Sequence, residues 1–159
     1  MTNTSPPVTQ RVFTGLDQVA EAVGTKVGVS PWFEITQEDI QTFADVTRDH
    51  QWIHVDEQRA AQSQFGTTIA HGYFVQSLIS YFMESVYRID GVSMLLNYGS
   101  NAVRFPSPAK VGIKIRGEIE FVSLEEQSAG HRLITKVTIV SDSGDKPVCV
   151  AEIVTLIVP

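Results

Sequence analysis

The run from Tyr73 to Tyr87, YFVQSLISYFMESVY, constrains this chain more than any other segment. Opened by His71-Gly72, it carries large apolar side chains almost all round a helix. It therefore predicts a long helix buried inside the domain rather than lying on its surface. Ser77, Ser80 and Glu84 fall at helical spacing on one side of it. Those residues, with Gln76 and Ser85, make the run a poor membrane span. A buried helix needs a wide apolar face to cover it, and the second half of the chain supplies one. Val111, Ile113, Ile115, Ile119 and Phe121 alternate with mostly polar partners, as do Leu133, Val137 and Ile139, and residues 148–158 form a more continuous apolar strand. An earlier strand is expected over Leu95 to Phe105, ended by Pro106 and Pro108. Gly130 and the DSGD stretch from Asp142 to Asp145 mark turns. A helix-rich half followed by a run of strands is the α+β pattern. Consecutive antiparallel strands could curl round the helix.

The rest of the first half reads as short helices and links. Residues 1–11, rich in Thr, Ser and Pro, are expected to be a flexible tail, and 12–159 a single domain, since 159 residues suit one core. Leu16 to Val23 predicts a helix closed by Gly24, and a link containing Pro31 follows. Thr36-Gln37-Glu38-Asp39 resembles a capping box ahead of a helix over Gln37 to Thr47. Asp56 is placed to cap a further helix over Glu57 to Gln64, with Phe65 to Ala70 as a loop. A formal net charge of −6 argues against a general nucleic-acid binder. The single cysteine, Cys149, lies in an apolar run and reads as core filler. The N-terminus is polar and lacks the apolar core of a signal peptide, so the expected location is cytoplasmic.

Chemistry concentrates in DHQWIHVD, Asp49 to Asp56, which holds two Asp and two of the four His. Asp49 and His54 are five apart. A continuous helix would rotate them by roughly 140° from one another, and a strand would put them on opposite faces. They meet only if the helix has ended and the chain turns between them, with Trp52 and Ile53 anchoring the turn. His50-Gln51-Trp52-Ile53-His54 is similar to the zinc-protease pattern His-Glu-x-x-His, but Gln51 cannot act as its base. Neither His71 nor His131 is placed as a third ligand by the sequence, so no metal is expected. From the residues alone, the stretch equally fits Asp49 and Asp56 capping helix ends and histidines that are merely satisfied polar groups.

The longer stretch FADVTRDHQWIHVDEQRAAQSQFGTTIAHGYFVQSLIS resembles the hydratase signature of the MaoC-like (R)-specific enoyl-CoA hydratases (hydratase 2). In that family a helix ends in an Asp-x-Asn-Pro-hydrophobic-His loop, and a His-Gly pair opens a long central helix. The Gln-Trp-Ile-His form is similar to the NodN-like and actinobacterial branch. NYGSNAVRFPSP, Asn97 to Pro108, also looks like the family's strand entering the sheet. The resemblance implies a hot-dog fold, a long central helix wrapped by an antiparallel sheet, and a homodimer with its site at the subunit interface. It implies a hydro-lyase of fatty acid metabolism that reversibly hydrates trans-2-enoyl-CoA to (R)-3-hydroxyacyl-CoA, with no cofactor beyond the coenzyme A of the substrate. Asp49 and His54 match the catalytic pair, which would hold one water. The backbone N–H of Gly72 would receive the thioester oxygen as the oxyanion hole.

Other positions are candidates for binding or support. Gln51-Trp52 replaces the usual Asn-Pro, so Gln51 would orient water or His54 with a longer reach, and Arg48 stands where Gly is frequent. His71 belongs to the His-Gly pair. Ser80 matches a serine near the catalytic pair in some members, or is simply a small residue facing a packed sheet. Arg104 meets either a coenzyme A phosphate or a surface carboxylate. Two other activities share the implied fold: a non-catalytic acyl-CoA-binding protein and an acyl-CoA thioesterase.

Overall fold

The computed structural model describes residues 9–159. Its elements run in the order β1 (Arg11–Phe13), α1 (Leu16–Glu21), β2 (Lys26–Val29), β3 (Phe33–Glu34), α2 (Gln37–Thr47), α3 (Trp52–Val55), α4 (Glu57–Ala61), α5 (Gly72–Ser77), α6 (Ile79–Val86), β4 (Tyr87–Ile89), β5 (Met94–Arg104), β6 (Lys114–Gln127), β7 (Gly130–Ser141) and β8 (Cys149–Val158). The main sheet has the order β2-β6-β7-β8-β5, with β3 also paired to β6, and every pair in it is antiparallel. α5 and α6 together form the long helix, with a local loosening at Leu78 (ψ −10°) between them. The result is a helix wrapped by an antiparallel sheet, the hot-dog arrangement. Among the described residues, no helix is long and apolar enough to cross a membrane.

Strand alternation supplies the concave face. Ile115, Ile119 and Phe121 of β6 are buried, and Ile119 pairs with Val137 of β7, which pairs with Ala151 of β8. The long helix lies close on this face because two glycines lie beneath it. A Cβ at Gly28 of β2 would stand 2.7 Å from Val86 Cγ1, and one at Gly117 of β6 would stand 2.9 Å from Phe82 Cβ. Phe82 is fully buried, so it has nowhere to go. Gly117→Ala is therefore expected to destabilise the protein by about 1–3 kcal/mol through overpacking. Urea unfolding measures this, and an unchanged midpoint would mean the helix can lift without cost.

Several expectations are sharpened. The long helix is not buried all round: Tyr73, Ser77, Ser80, Tyr81 and Glu84 form an exposed stripe along one side. Their helical spacing reads as a face because none of the described residues covers it. The helix also stops at Val86, since the backbone turns extended at Tyr87 (φ −147°, ψ 163°) and pairs in parallel with β1. That pairing alters the expected tail. Residues 1–8 lie outside the described residues, but Arg11 is a strand residue opposite Tyr87. It is held there because Phe13 is buried in the core and the Arg11 guanidinium lies 4.6 Å from the Phe13 ring centroid. The short strands β2 and β3 occupy what the sequence presents as a link. α4 ends at Ala61, earlier than expected. The caps form as expected: Thr36 Oγ1 accepts from Asp39 N–H at 3.1 Å, and Asp56 Oδ1 accepts from Arg59 N–H at 3.0 Å.

Candidate active site

The chain between α2 and α5 builds the site. α2 ends because Arg48 turns left-handed, at φ 67° and ψ 15°. That conformation suits glycine best, which gives a physical meaning to Arg48 standing where glycine is frequent. The chain then reverses, and Asp49 Oδ1 accepts the Gln51 N–H at 3.3 Å. The segment from Asp49 to His54 is not a plain loop: it contains one turn of helix, α3, which carries His54 inward. Trp52 anchors that turn from the half-buried side, with the Arg59 guanidinium 4.3 Å from its ring centroid. Gln37 braces it from α2, where its Nε2 donates to the His54 carbonyl at 2.8 Å while its Oε1 accepts from the Thr68 hydroxyl.

Hydrogen bonding sets the state of each histidine. His54 is buried, at 6 % exposure, and its Nδ1 lies 2.6 Å from the Ile69 carbonyl oxygen. A carbonyl can only accept, so Nδ1 carries the proton and Nε2 of the neutral ring keeps its lone pair. His71 is 2 % exposed, and its Nε2–H donates to the Asp49 carbonyl at 2.9 Å. The two rings stack, with centroids 3.7 Å apart and planes at 23°. Burial pushes the His54 imidazole below its ordinary value of 6.5, helped by neighbouring His71 and opposed by the Ile69 hydrogen bond and by Asp49. The ring is thus biased towards its neutral, basic form.

A side-chain oxygen of Asp49 and one ring nitrogen each of His54 and His71 lie within 4.8 Å of one another. Close approach of three donors raises the question of a metal. Imidazole lone pairs lie in the ring plane, and zinc binds them at about 2.0–2.1 Å. Two nearly parallel rings at stacking distance cannot direct their lone pairs at one ion, so the arrangement does not fit a three-ligand centre. His50, the first residue of the zinc-like pattern, points away: its Nε2 meets Asp45 Oδ1 at 2.8 Å on the surface. There His50 and Gln41 hold the Asp45 carboxyl below the usual range.

His54 and Gly72 line the same cavity, of about 430 Å³, with Ile53, Val75, Phe105 and Val148 among its apolar walls. Gly72 is the first residue of α5, so its N–H has no acceptor within the helix. The Phe105 ring covers it closely: a Cβ at Gly72 would stand 3.0 to 3.2 Å from three of that ring's atoms.

The other candidates are placed differently. Gln51 is exposed beside Asp49, joined to it through its backbone. Ser80 lines a second cavity, of about 490 Å³, between the long helix and strands β5 and β8, with Ser77, Asn97 and Thr155; within one chain it does not share the His54 cavity. Arg104 is exposed at the end of β5 and donates to the Val103 carbonyl at 2.7 Å, forming no ion pair with the described residues. Sequence reasoning missed Gln37 and Thr68, whose contacts with the site span many residues. It also missed Phe105, which appears in the sequence only as the residue before Pro106.

The likenesses to known proteins agree with the fold. The family described as "MaoC like domain" matches residues 18–143. The chain is 46 % identical over 143 residues to 3-hydroxyacyl-thioester dehydratase Z of Mycobacterium tuberculosis, covering 89 % of this chain and 95 % of that protein. It is 40 % identical over 147 residues to nodulation protein N of Rhizobium leguminosarum bv. viciae, covering 89 % and 90 %. Among solved structures, the R-hydratase PhaJ1 of Pseudomonas aeruginosa superposes with a TM-score of 0.69 at 29 % identity, covering 86 % of this chain and 81 % of that one. With a matching family over most of its length, a relative of 46 % identity and a hot-dog fold, the chain belongs to the MaoC-like dehydratases and is an enzyme of the hydro-lyase class.

Proposed function

We propose that the protein hydrates trans-2-enoyl-CoA reversibly to (R)-3-hydroxyacyl-CoA. The observation that carries this reading is the fixed tautomer of His54: with Nδ1–H held by Ile69, Nε2 is the basic nitrogen of a residue that lines the same cavity as Gly72. His54 Nε2 takes a proton from water as the water oxygen bonds to C3 of the enoyl group. Asp49 orients that water and relays the proton from His54 to C2, so that both groups end as they began. Electrons of the C2–C3 double bond move towards the thioester oxygen, and the Gly72 N–H stabilises the charge that develops there. Dehydration is the same path reversed. The dehydratase and R-hydratase likenesses support this choice over simple acyl binding or thioester hydrolysis.

The working unit in this reading is a homodimer with the site at its interface. The exposed helix stripe and the outer edge of β5, with Leu95, Leu96 and Tyr98 exposed, form the face that a second copy would cover. Sedimentation at the mass of one chain would overturn that part.

Purified protein is expected to remove the absorbance of the conjugated enoyl thioester and to yield the (R)-3-hydroxy product by chiral analysis. Release of free coenzyme A thiol, or binding without turnover, would overturn the reading. The pH profile follows from the lowered His54 ionisation. The base form predominates throughout the neutral range, and kcat/KM should fall only as pH drops below 6.5. Stability has the same sign. The contribution of neutral His54 is complete above pH 6.5 and is lost as pH falls from there through the folded-state value, because the unfolded chain takes up the proton first. An acidic limb lying above pH 6.5 would contradict this.

A further inference from the structure

His71 touches more of the site than its place in a His-Gly pair suggests. Its Nε2–H donates to the backbone carbonyl of Asp49, a residue 22 positions away. Its ring stacks on His54. Phe43 of α2 packs against its other surroundings, with ring centroids 5.0 Å apart. Its own successor, Gly72, supplies the helix-terminal N–H. One buried side chain therefore joins the acid, the base and the start of α5.

The orphaned nitrogen strengthens the point. With the proton on Nε2, Nδ1 of the neutral His71 ring is an acceptor, and among the described residues it is buried with no hydrogen-bond partner. Such a group costs free energy that a packing residue such as Phe or Leu would not. A histidine is explained here by the donor on Nε2 combined with a flat ring for stacking.

We propose that His71 is a positioning residue: its Nε2–H anchors the Asp49 backbone while its ring seats the His54 ring, and these two contacts set the separation of the reacting pair. This rests on the hydratase reading only for its effect on rate. The two contacts themselves are testable without substrate.

Two variants divide the contacts. His71→Phe keeps a flat ring and loses the donor, whereas His71→Gln keeps an amide donor and loses the ring. The titratable groups facing His54 are His71 and Asp49. In His71→Phe, backbone amides from Asp49 to Trp52 should exchange faster, while the His54 titration should move up only by the lost electrostatic influence of His71, since a flat ring still buries it. In His71→Gln, the exchange should be nearly that of the parent and the His54 titration, followed by side-chain NMR, should move up towards the ordinary value. Both should lose kcat, by about 10²-fold for a misplaced pair, with KM changing far less. A residue with only a structural role would lower the melting temperature and leave kcat, the pH profile and the His54 titration alone, and that result overturns the proposal. Should His71→Phe fail to fold, His71→Gln still decides through the titration. Nitrogen chemical shifts of the parent protein decide independently of any variant, since a proton on His71 Nδ1 rather than Nε2 overturns the anchoring contact. Failure of the parent to hydrate an enoyl-CoA would sink the functional reading and leave the exchange and NMR results to judge His71.

Discussion

His54→Ala and Asp49→Asn are each expected to slow enoyl-CoA hydration by roughly 10²–10⁴-fold, the range typical of acid–base groups. The reason is local and geometric. His54 Nδ1 is committed to Ile69, so Nε2 is the basic nitrogen of His54, the histidine that lines the same cavity as Gly72. Asp49→Asn is the cleaner of the two. Its side-chain oxygen can still accept the Gln51 N–H, so the turn survives while the carboxylate charge is gone. His54→Ala also leaves the Ile69 carbonyl without its partner and opens a hole, which should cost about 1–3 kcal/mol of stability. Single-turnover rates with a melting curve for each variant separate these effects. Folded variants that both retain full activity would sink the assignment of the pair.

The second large effect is expected at Gly72, where two substitutions isolate one N–H. Gly72→Pro removes the hydrogen, yet proline is well tolerated at the first position of a helix. His71 already has the extended backbone that precedes proline, at φ −59° and ψ 139°. Gly72→Ala adds the same Cβ, which presses on the Phe105 ring at 3.0 Å, and keeps the hydrogen. Phe105 is partly exposed and can give by a few tenths of an ångström. The Pro variant should therefore be slower than the Ala variant by about 10²–10³-fold in kcat, the usual loss for one oxyanion-hole donor. Equal rates in the two variants would show that the Gly72 N–H does not meet the developing charge.

Much of the architecture was legible in the chain because periodicity records it. Ile115, Ile119 and Phe121 alternate because every second residue of β6 faces the helix. Thr36 and Asp56 cap where they were expected to, since capping is a contact with the next few residues. Strands β1 to β4 were not legible. They are two to four residues long, too short for a pattern, and exist because partners far along the chain complete their hydrogen bonds. The exposed helix stripe was half legible: Ser77, Ser80 and Glu84 stood at the right spacing, but Tyr73 and Tyr81 made the same side look apolar.

The site divides in the same way. Spacing alone required the chain to turn between Asp49 and His54, because neither a helix nor a strand lets residues five apart converge. The resemblance then pointed to the pair and to Gly72. Tertiary structure decided which nitrogen of His54 is basic, since that depends on the carbonyl of Ile69, 15 residues away. It placed His71 under His54, sent His50 to the surface, and set Ser80 in a cavity of its own. Local order in a sequence reports contacts within a few residues. The protonation state and alignment of a catalytic pair are set by groups that meet only when the chain closes on itself.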